Sequence, residues 1–267
     1  MLVSTFQHIP GVGEKKEREL WGRGCVSWDH LLSSKYGLPD RKYAKIKEQV
    51  LESKERLCAL DHDFFRCSLG SKLSWRAYNS FRDYACFLDI ETTGLSAHSS
   101  HVTTVCVHGK KGTKSYIAGN NMEELPGDLK GYKYIVSFNG ARFDLPFLTQ
   151  SLGIEFPQIH LDLLYPLKSL GYSGGLKNIE KNLGMSRDTE GVTGYDAVRL
   201  WHAYKRDRIV EVAGRRVKGT DALDLLVEYN REDTVNLEKL ADYAVNELKK
   251  RNYPALSPPY AERPKPD

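Results

Sequence analysis

Asp89 and Glu91 stand two residues apart at the end of a short apolar run, in the stretch "FLDIETTGL". Residues two apart on a strand face the same side of the sheet, so both carboxylates are predicted to project from one face. Two like charges at this spacing raise each other's pKa unless a divalent cation neutralises them. The pair is therefore a candidate metal site, although a D-x-E sequence at a strand end is also common in proteins without catalytic activity.

A third carboxylate, Asp233, falls on the apolar stripe of a predicted amphipathic helix. The stripe advances by three or four residues at each step, as a helix requires. Its members are Leu226, Tyr229, Asp233, Leu237, Leu240 and Ala244. A buried carboxylate needs a cation, a partner or a raised pKa, because an isolated buried charge is very costly. Tyr229 lies one turn before Asp233, so a phenol and a carboxylate point together into the protein. The alternative is that Asp233 is half exposed.

Asp144, in "SFNGARFDLPFL", follows a predicted strand and opens a helix. With Pro146 close behind it, Asp144 could instead be an ordinary helix N-cap. Considered together, the four carboxylates could meet at one edge of the sheet. Oxygen ligands without cysteines favour a hard cation, Mg²⁺ or Mn²⁺. Two such ions about 4 Å apart are a standard device for phosphodiester hydrolysis, in which Tyr229 could orient the attacking water.

The elements that must position these residues are strands followed by helices. Residues up to about 80 read as helical, and then come a buried strand, a hairpin and two further strand candidates. Helical patterns dominate from about residue 163 to 251. The order predicts an α/β fold, with a mixed sheet flanked by helices and a small helical N-terminal appendage. The predicted regions are residues 1–80, a catalytic domain over 81–252, and a Pro-rich tail over 253–267.

Bulk properties narrow the class of protein. The chain of 267 residues carries 40% hydrophobic and 28% charged residues, which is enough to form a core. A net charge of +4 permits a polyanionic partner without requiring one. Five cysteines without a C-x-x-C pair argue against a disulfide framework or a thiolate zinc site. We expect no signal peptide, no membrane span and a cytoplasmic location. No protein partner is predicted.

Three segments together resemble the exonuclease motifs of the DEDD superfamily, which has the ribonuclease H-like fold. The segments are "FLDIETTGL", "SFNGARFDLPFL" and "YNREDTVNL". The Y-x-x-x-D spacing from Tyr229 to Asp233 is similar to the tyrosine subclass. The resemblance spans about residues 85–248, and "DLLYPLKSLGYSGGLKNIEKNLGMSRD" resembles the linker of a bacterial and archaeal branch of predicted exonucleases. Asp162 matches an acidic position of that branch that is not a metal ligand.

This resemblance implies a reaction and a set of ligands. The metal ligands would be Asp89, Glu91, Asp144 and Asp233, holding two Mg²⁺ or Mn²⁺ ions. The reaction would remove nucleotides in the 3′ to 5′ direction. Five residues near the motifs are candidates for contact with the substrate, with Leu95 and Phe143 stacking against or wedging between bases; they are Thr92, Gly94, Leu95, Asn139 and Phe143. Phe143 could equally be a residue of the core.

Two further segments are candidates for nucleic-acid binding. "IPGVGEKK" resembles a helix-hairpin-helix element, in which Gly11 and Gly13 would face a backbone phosphate and Lys15 and Lys16 would add charge. A plain packing unit with a Gly-rich corner is the alternative. The basic run "KRDRIVEVAGRRVKG" could form a β-ribbon that guides a strand inward, or only an exposed charged hairpin.

The sequence thus predicts a metal-dependent 3′–5′ exonuclease that acts on single-stranded nucleic acid, with DNA favoured over RNA. A structure-selective endonuclease on the same fold is one alternative. The other is a nucleic-acid-binding protein without turnover, although the presence of all four acids and the tyrosine argues against it.

Overall fold

The computed structural model describes residues 1–253, so the predicted Pro-rich tail lies outside the described residues except for its first residue, Tyr253. The chain divides into two compact units. The first comprises residues 1–82 together with the chain from residue 245 onward, and the second comprises residues 83–244. The assignment of functional domains to residues 1–80 and 81–252 stays a prediction.

The N-terminal part of the first unit is helical, as predicted. Its α-helices are α1 (Glu14–Gly22), α2 (Trp28–Ser33), α3 (Asp40–Cys58), α4 (His62–Leu73) and α5 (Tyr78–Phe81). Short 3₁₀ turns span Leu2–Ser4, Ser74–Ala77 and Arg82–Tyr84. Helix α4 is interrupted at Gly70, whose φ of 61° is a left-handed conformation that glycine adopts without strain.

A buried ion pair joins distant segments of the first unit. Glu17 of α1 is fully buried, and its carboxylate accepts hydrogen bonds from Arg76 at 2.8 and 2.9 Å. The same carboxylate accepts the backbone N–H of Phe6 at 2.7 Å. The Arg76 guanidinium also lies 5.8 Å from the ring centroid of Trp21 and 5.6 Å from that of Trp75. The charge is therefore paired and enclosed by aromatic rings.

The second unit contains the predicted mixed sheet. Its five strands are β1 (Ala85–Thr92), β2 (Val102–Gly109), β3 (Gly112–Ile117), β4 (Tyr134–Ser137) and β5 (Ile159–Asp162). Their spatial order is β3-β2-β1-β4-β5. The β1-β2 and β2-β3 pairs are antiparallel, whereas β1-β4 and β4-β5 are parallel. Strand β1 is central, and its first four residues are fully covered, which explains its unbroken apolar run.

Helices flank this sheet, and most of them lie in the region from about residue 163 to 251 where helical patterns were predicted. They are α6 (Leu125–Leu129), α7 (Asp144–Leu152), α8 (Leu164–Ser169), α9 (Leu176–Asn182), α10 (Gly194–Arg206) and α11 (Thr220–Asn252). A 3₁₀ turn spans Met122–Glu124. The core that holds β1 in place combines Leu88 and Ile90 with Val105 of β2, Ile135 of β4 and Phe147 of α7.

Helix α11 carries the stripe on which Asp233 was predicted to be buried. Every member of the stripe, from Leu226 to Ala244, is buried, and Asp233 is among them. The half-exposed alternative for Asp233 is therefore wrong. Within residues 1–253, none of the helices combines the length and the apolar character that crossing a bilayer requires.

The basic run forms the predicted two-stranded ribbon, which we call the basic hairpin, of β6 (Ile209–Val212) and β7 (Arg215–Lys218). Its two turn residues, Ala213 and Gly214, have φ angles of 50° and 73°. Two consecutive positive φ angles are typical of the tight turns that suit the twist of a hairpin. Val212 packs in a cluster with residues of α10 and α11.

Candidate active site

Strand β1 delivers Asp89 and Glu91 to one face of the sheet. Opposite them on β2 lie Cys106 and Thr104 respectively. Leu88 and Ile90, which stand on either side of Asp89 in the strand, are buried on the other face, so the alternation predicted from the sequence is present. Both carboxylates are half-buried.

Helix α11 brings Asp233 to the same place. One carboxylate oxygen from each of Asp89, Glu91 and Asp233 lies within 4.8 Å of the others. We call these three residues the acidic cluster. An all-oxygen set of carboxylates at this spacing suits a hard divalent cation, because such a cation accepts several oxygen ligands and offsets their mutual repulsion.

Asp144 borders the acidic cluster without belonging to it. It is the first residue of α7 and is only 4% exposed. The N-cap of α7 is Phe143, with no side-chain capping bond, so the structure does not support the helix-cap alternative for Asp144. Burial raises the pKa of Asp144 to about 7, and the charges of Asp162 and Asp233 add to the effect.

The acids of the cluster are electrostatically strained without a cation. Burial raises the pKa of Asp89 well above its ordinary value, and the charges of Asp233, Asp144 and Glu91 raise it further. Burial likewise raises the pKa of Glu91, followed by the charge of Asp233, whereas Lys177 opposes the shift. Perturbed pKa values produced by both burial and like charges are typical of functional sites.

Asn230, which precedes the acidic part of α11, fixes the orientation of Asp89. Its Nδ2 donates to Asp89 Oδ2 at 2.7 Å, and Asn230 itself is fully buried. Its backbone carbonyl accepts a hydrogen bond from the Thr234 hydroxyl at 2.8 Å. The sequence analysis missed Asn230, because its contact with Asp89 spans 141 residues of sequence.

Asp162, at the end of β5, organises the loop that leads to Asp144. Its carboxylate accepts the backbone N–H groups of Asn139 at 2.7 Å, Ala141 at 3.1 Å and Leu164 at 3.1 Å. In the same loop, a Cβ on Gly140 would collide with the Ser137 hydroxyl and lie 3.4 Å from Asp144 Oδ2. Asp162 thus shapes the loop through hydrogen bonds to its backbone.

Tyr229 lies one turn before Asp233 on α11 and is buried. Burial raises the pKa of its phenol, and the charges of Asp233 and Glu91 add to the increase. The phenol therefore stays protonated near neutral pH and can donate a hydrogen bond. The Lys177 ammonium lies 4.2 Å from the centroid of the Tyr229 ring and also donates to the backbone carbonyl of Val192.

An arginine that the sequence analysis did not single out, Arg187, contacts the acidic cluster directly. Its Nη2 donates to Asp233 Oδ1, and its Nε and Nη2 donate to Glu180 at 2.5 and 2.8 Å. The loop that carries Arg187 is tied to α11, because Glu232 accepts the backbone N–H groups of Asp188 at 2.7 Å and Thr189 at 3.0 Å. Periodicity could not reveal this arginine, since 46 residues separate it from Asp233.

The predicted substrate contacts near the motifs differ in exposure. Leu95 is 89% exposed and Asn139 is half-buried, with a φ of 61°. The half-buried Phe143 ring packs 5.5 Å from that of Phe147, so it contributes to the core. Thr92 is buried, and its hydroxyl donates to the carbonyl of Gly94 at 2.7 Å. Leu95 therefore has the most freely accessible side chain of this set.

The other predicted contacts lie in the first unit. Gly11 has a φ of 84°, and Gly13 is the N-cap of α1. Lys15 is exposed, whereas Lys16 is half-buried and lies 3.4 Å from Glu19. The local conformation is the turn followed by a helix that the sequence predicted, and its role in binding stays a prediction.

Comparison with known proteins places the chain in a family. Residues 86–245 match the family RNase_H_2, described as RNase_H superfamily. No curated protein matches this sequence. Among solved structures, the family B DNA polymerase of the hyperthermophilic archaeon Pyrobaculum calidifontis is 14% identical with a TM-score of 0.44, over 62% of this chain and 24% of the polymerase. Brucella melitensis NrnC with bound Mg²⁺ is 20% identical with a TM-score of 0.42, over 69% of this chain and 82% of NrnC.

A further structure of Brucella melitensis NrnC, bound to pGG, is also 20% identical with a TM-score of 0.42, over 66% of this chain and 78% of NrnC. These low scores add no argument about activity, and the chain spans only 24% of the polymerase. The family match covers more than half of the chain. The chain therefore belongs to the RNase H superfamily, and its mixed sheet flanked by helices is the predicted ribonuclease H-like fold. Membership supports a nuclease that works with divalent metal.

Proposed function

We propose that this protein is a divalent-metal-dependent 3′–5′ exonuclease that hydrolyses single-stranded nucleic acid, with DNA as the favoured substrate. The observation that carries the proposal is the convergence of Asp89, Glu91 and Asp233 within 4.8 Å, with Asp144 beside them. The directionality comes from the resemblance of the three motifs to DEDD exonucleases.

The donor chemistry of the site fits two Mg²⁺ or Mn²⁺ ions. Asp89, Glu91, Asp144 and Asp233 would hold these ions. When bound, such ions supply positive charge and Lewis acidity beside the scissile phosphate. The raised pKa values of Asp89 and Glu91 support this assignment, because the buried carboxylates lack enough positive charge of their own.

The remaining residues of the site bind and orient. Asn230 holds Asp89 so that its second oxygen, Oδ1, can face a ligand. The Tyr229 phenol, which stays protonated, is placed to donate a hydrogen bond to the attacking water or to a phosphate oxygen. We expect Leu95, whose side chain is exposed, to pack against a terminal base.

The basic hairpin is the surface we assign to the incoming strand. Arg208, Arg215, Arg216 and Lys218 are all exposed on it. Arg215 donates to the backbone carbonyl of Asp188 at 3.3 Å, which connects the hairpin to the loop that carries Arg187. Such contacts with phosphates provide affinity without sequence recognition.

Hydrolysis of end-labelled strands with Mg²⁺ or Mn²⁺ tests the metal site. We expect the parent protein to digest single-stranded DNA faster than RNA, and chelation to stop the reaction. Asp89→Asn and Asp233→Asn should each reduce the rate by at least about a thousandfold, because each removes charge from the cluster. Asp224→Asn, an exposed change on the same helix, is the matched control. Digestion by Asp233→Asn at the parent rate would exclude the two-metal mechanism.

The alternatives are separated by the form of the substrate. An exonuclease digests linear strands and spares sealed circles, and a 3′ label is released before a 5′ label. Cleavage of circles would instead favour the structure-selective endonuclease. Tight binding of strands without any product, at every metal concentration, would favour a binding protein without turnover.

A further inference from the structure

Arg187 forms a buried triad with Asp233, which belongs to the acidic cluster, and Glu180, which does not. The side chains of Arg187, Glu180 and Asp233 are only 7%, 1% and 8% exposed. Two guanidinium nitrogens bind Glu180, and one of these, Nη2, also binds Asp233 Oδ1. Glu180 therefore anchors the guanidinium in the position from which it pairs with Asp233.

The anchoring extends beyond Glu180. Glu232, the residue before Asp233, accepts the backbone N–H groups of Asp188 and Thr189, which directly follow Arg187. The same helix thus holds both the acid of the cluster and the loop that presents the arginine. The guanidinium is consequently a preorganised positive charge that these contacts hold beside Asp233.

The charge that Arg187 supplies is the kind that a metal ion would supply. Asp89 receives its hydrogen bond from a neutral amide, and Lys177, whose charge acts on Glu91, donates to a backbone carbonyl, whereas Asp233 is paired with a guanidinium. Arg187 also has a buried Nη1 without a hydrogen-bond partner within residues 1–253, so its present environment does not satisfy it completely.

We infer that Arg187 is a resident counter-cation of the acidic cluster, which stabilises the metal-free protein and competes with a divalent cation for Asp233. The inference rests on the metal site of the proposed function. It deepens that proposal, because it assigns to the chain itself a group that lowers the affinity for the ion. A positive charge close to a bound cation repels it, and the repulsion is strong where water is excluded.

Arg187→Gln tests this competition through binding and thermal stability. Isothermal titration of metal-free protein with Mn²⁺ should show a Kd tightened by about tenfold, because a buried positive charge is removed. In chelator, the Tm of the variant should fall, and saturation with Mn²⁺ should raise its Tm more than that of the parent. A Kd that is unchanged or weaker would overturn the inference.

Two further variants keep the test decisive. The double change Glu180→Gln with Arg187→Gln leaves no unpaired buried charge from the pair, so it should fold better and still bind Mn²⁺ more tightly than the parent. Arg231→Gln, on α11, removes an exposed arginine that pairs with Glu228 at 2.9 Å and should leave Kd within about twofold. If the parent bound no Mn²⁺, the proposed metal site would fail as well. If the parent bound Mn²⁺ and both Arg187 variants matched it, only the counter-cation role would fail.

Discussion

Individual side chains in this protein lie in unusual electrostatic environments. Asp89, Glu91 and Asp233 each place one carboxylate oxygen within 4.8 Å of the others in a partly buried site. A carboxylate in such surroundings is neutralised by protons, by a fixed cation or by a metal ion. In the structure, the guanidinium of Arg187 is the fixed cation. In the proposed function, a divalent metal ion supplies further positive charge.

Tyr229→Phe separates the role of the phenol in orienting the attacking water or a phosphate oxygen from the binding of metal by the carboxylates. Loss of one hydrogen bond to the attacking water or to a phosphate oxygen should slow hydrolysis by about tenfold or more. The affinity for Mn²⁺ should not change, since the carboxylates remain. Steady-state rates on a labelled strand and isothermal titration measure the two quantities. Tyr195→Phe, at a position that is 75% exposed, is the control. Equal rates for Tyr229→Phe and the parent would remove the phenol from the mechanism.

Helices and strands hold together through a few buried polar contacts in addition to the apolar core. In the first unit, Glu17 of α1 binds Arg76 and the backbone N–H of Phe6, so one carboxylate links three parts of the chain. In the second unit, Asp162 at the end of β5 shapes the loop after β4 in a similar way. Each contact matters because removing one partner leaves the other buried and unsatisfied.

Glu17→Gln should destabilise the protein strongly. The change leaves the Arg76 charge buried without its counter-ion, and breaking a pair of this kind costs about 3–5 kcal/mol. Urea denaturation followed by circular dichroism measures the free energy of unfolding. Glu14→Gln on the same helix removes an exposed pair with Arg18, and its cost should stay below about 1 kcal/mol. Similar values for both variants would contradict this account of the buried pair.

His8 should make the protein sensitive to acid. Burial lowers the pKa of His8 from 6.5 to about 4, with Thr5 opposing the shift and the charge of Arg76 adding to it. Its Nε2 lies 2.8 Å from the Ser53 hydroxyl, and its ring packs 5.3 Å from that of Trp28. Because the unfolded chain takes up the proton first, the contribution of His8 to stability is complete above pH 6.5. This contribution falls as the pH drops towards 4, by about 3 kcal/mol.

Chemical denaturation across this pH range measures the loss in the parent and in His8→Gln, which cannot titrate. The variant should lose less stability between pH 6.5 and 4 than the parent does. His202→Gln, a change at an exposed position, should keep the full loss. Equal losses of stability in the parent and in His8→Gln would exclude a role for His8.

Candidate residues for nucleic-acid binding were predicted in each of the two units. The proposed catalytic site belongs to the second unit, whereas Gly11, Gly13, Lys15 and Lys16 belong to the first. Contacts of lysines with phosphates release counter-ions, so their number appears in the salt dependence of affinity.

The change Lys15→Gln with Lys16→Gln tests the first unit. If both lysines contact phosphates of a single strand, the slope of log affinity against log salt should decrease in magnitude by up to about 1.4. Fluorescence anisotropy with a labelled oligonucleotide at several salt concentrations measures the slope. Lys42→Gln with Lys45→Gln on α3 makes the same change of charge at exposed positions. Equal slopes for the two double variants would assign the Gly-rich turn to packing alone.

Much of the architecture follows from local pattern. The apolar run of β1, the stripe of α11 and the turn of the basic hairpin were each predicted in place, because strand and helix periods and turn residues act over a few positions. The acidic residues were found for the same reason. A carboxylate at a position that periodicity assigns to the core is anomalous without knowledge of any partner.

Contacts between residues that are far apart in the sequence could not be predicted in this way. Asn230 reaches Asp89 over 141 residues, and Arg187 reaches Asp233 over 46. Periodicity says which face a side chain occupies, but not which residue lies opposite, because that depends on the course of the loops and on packing. The pattern of residues along the chain thus predicted the acids and the elements that carry them. Only the tertiary structure decided that Asp144 borders the acidic cluster and that a buried arginine pairs with Asp233 of that cluster. Both depend on contacts between residues far apart in the sequence, which local interactions do not determine.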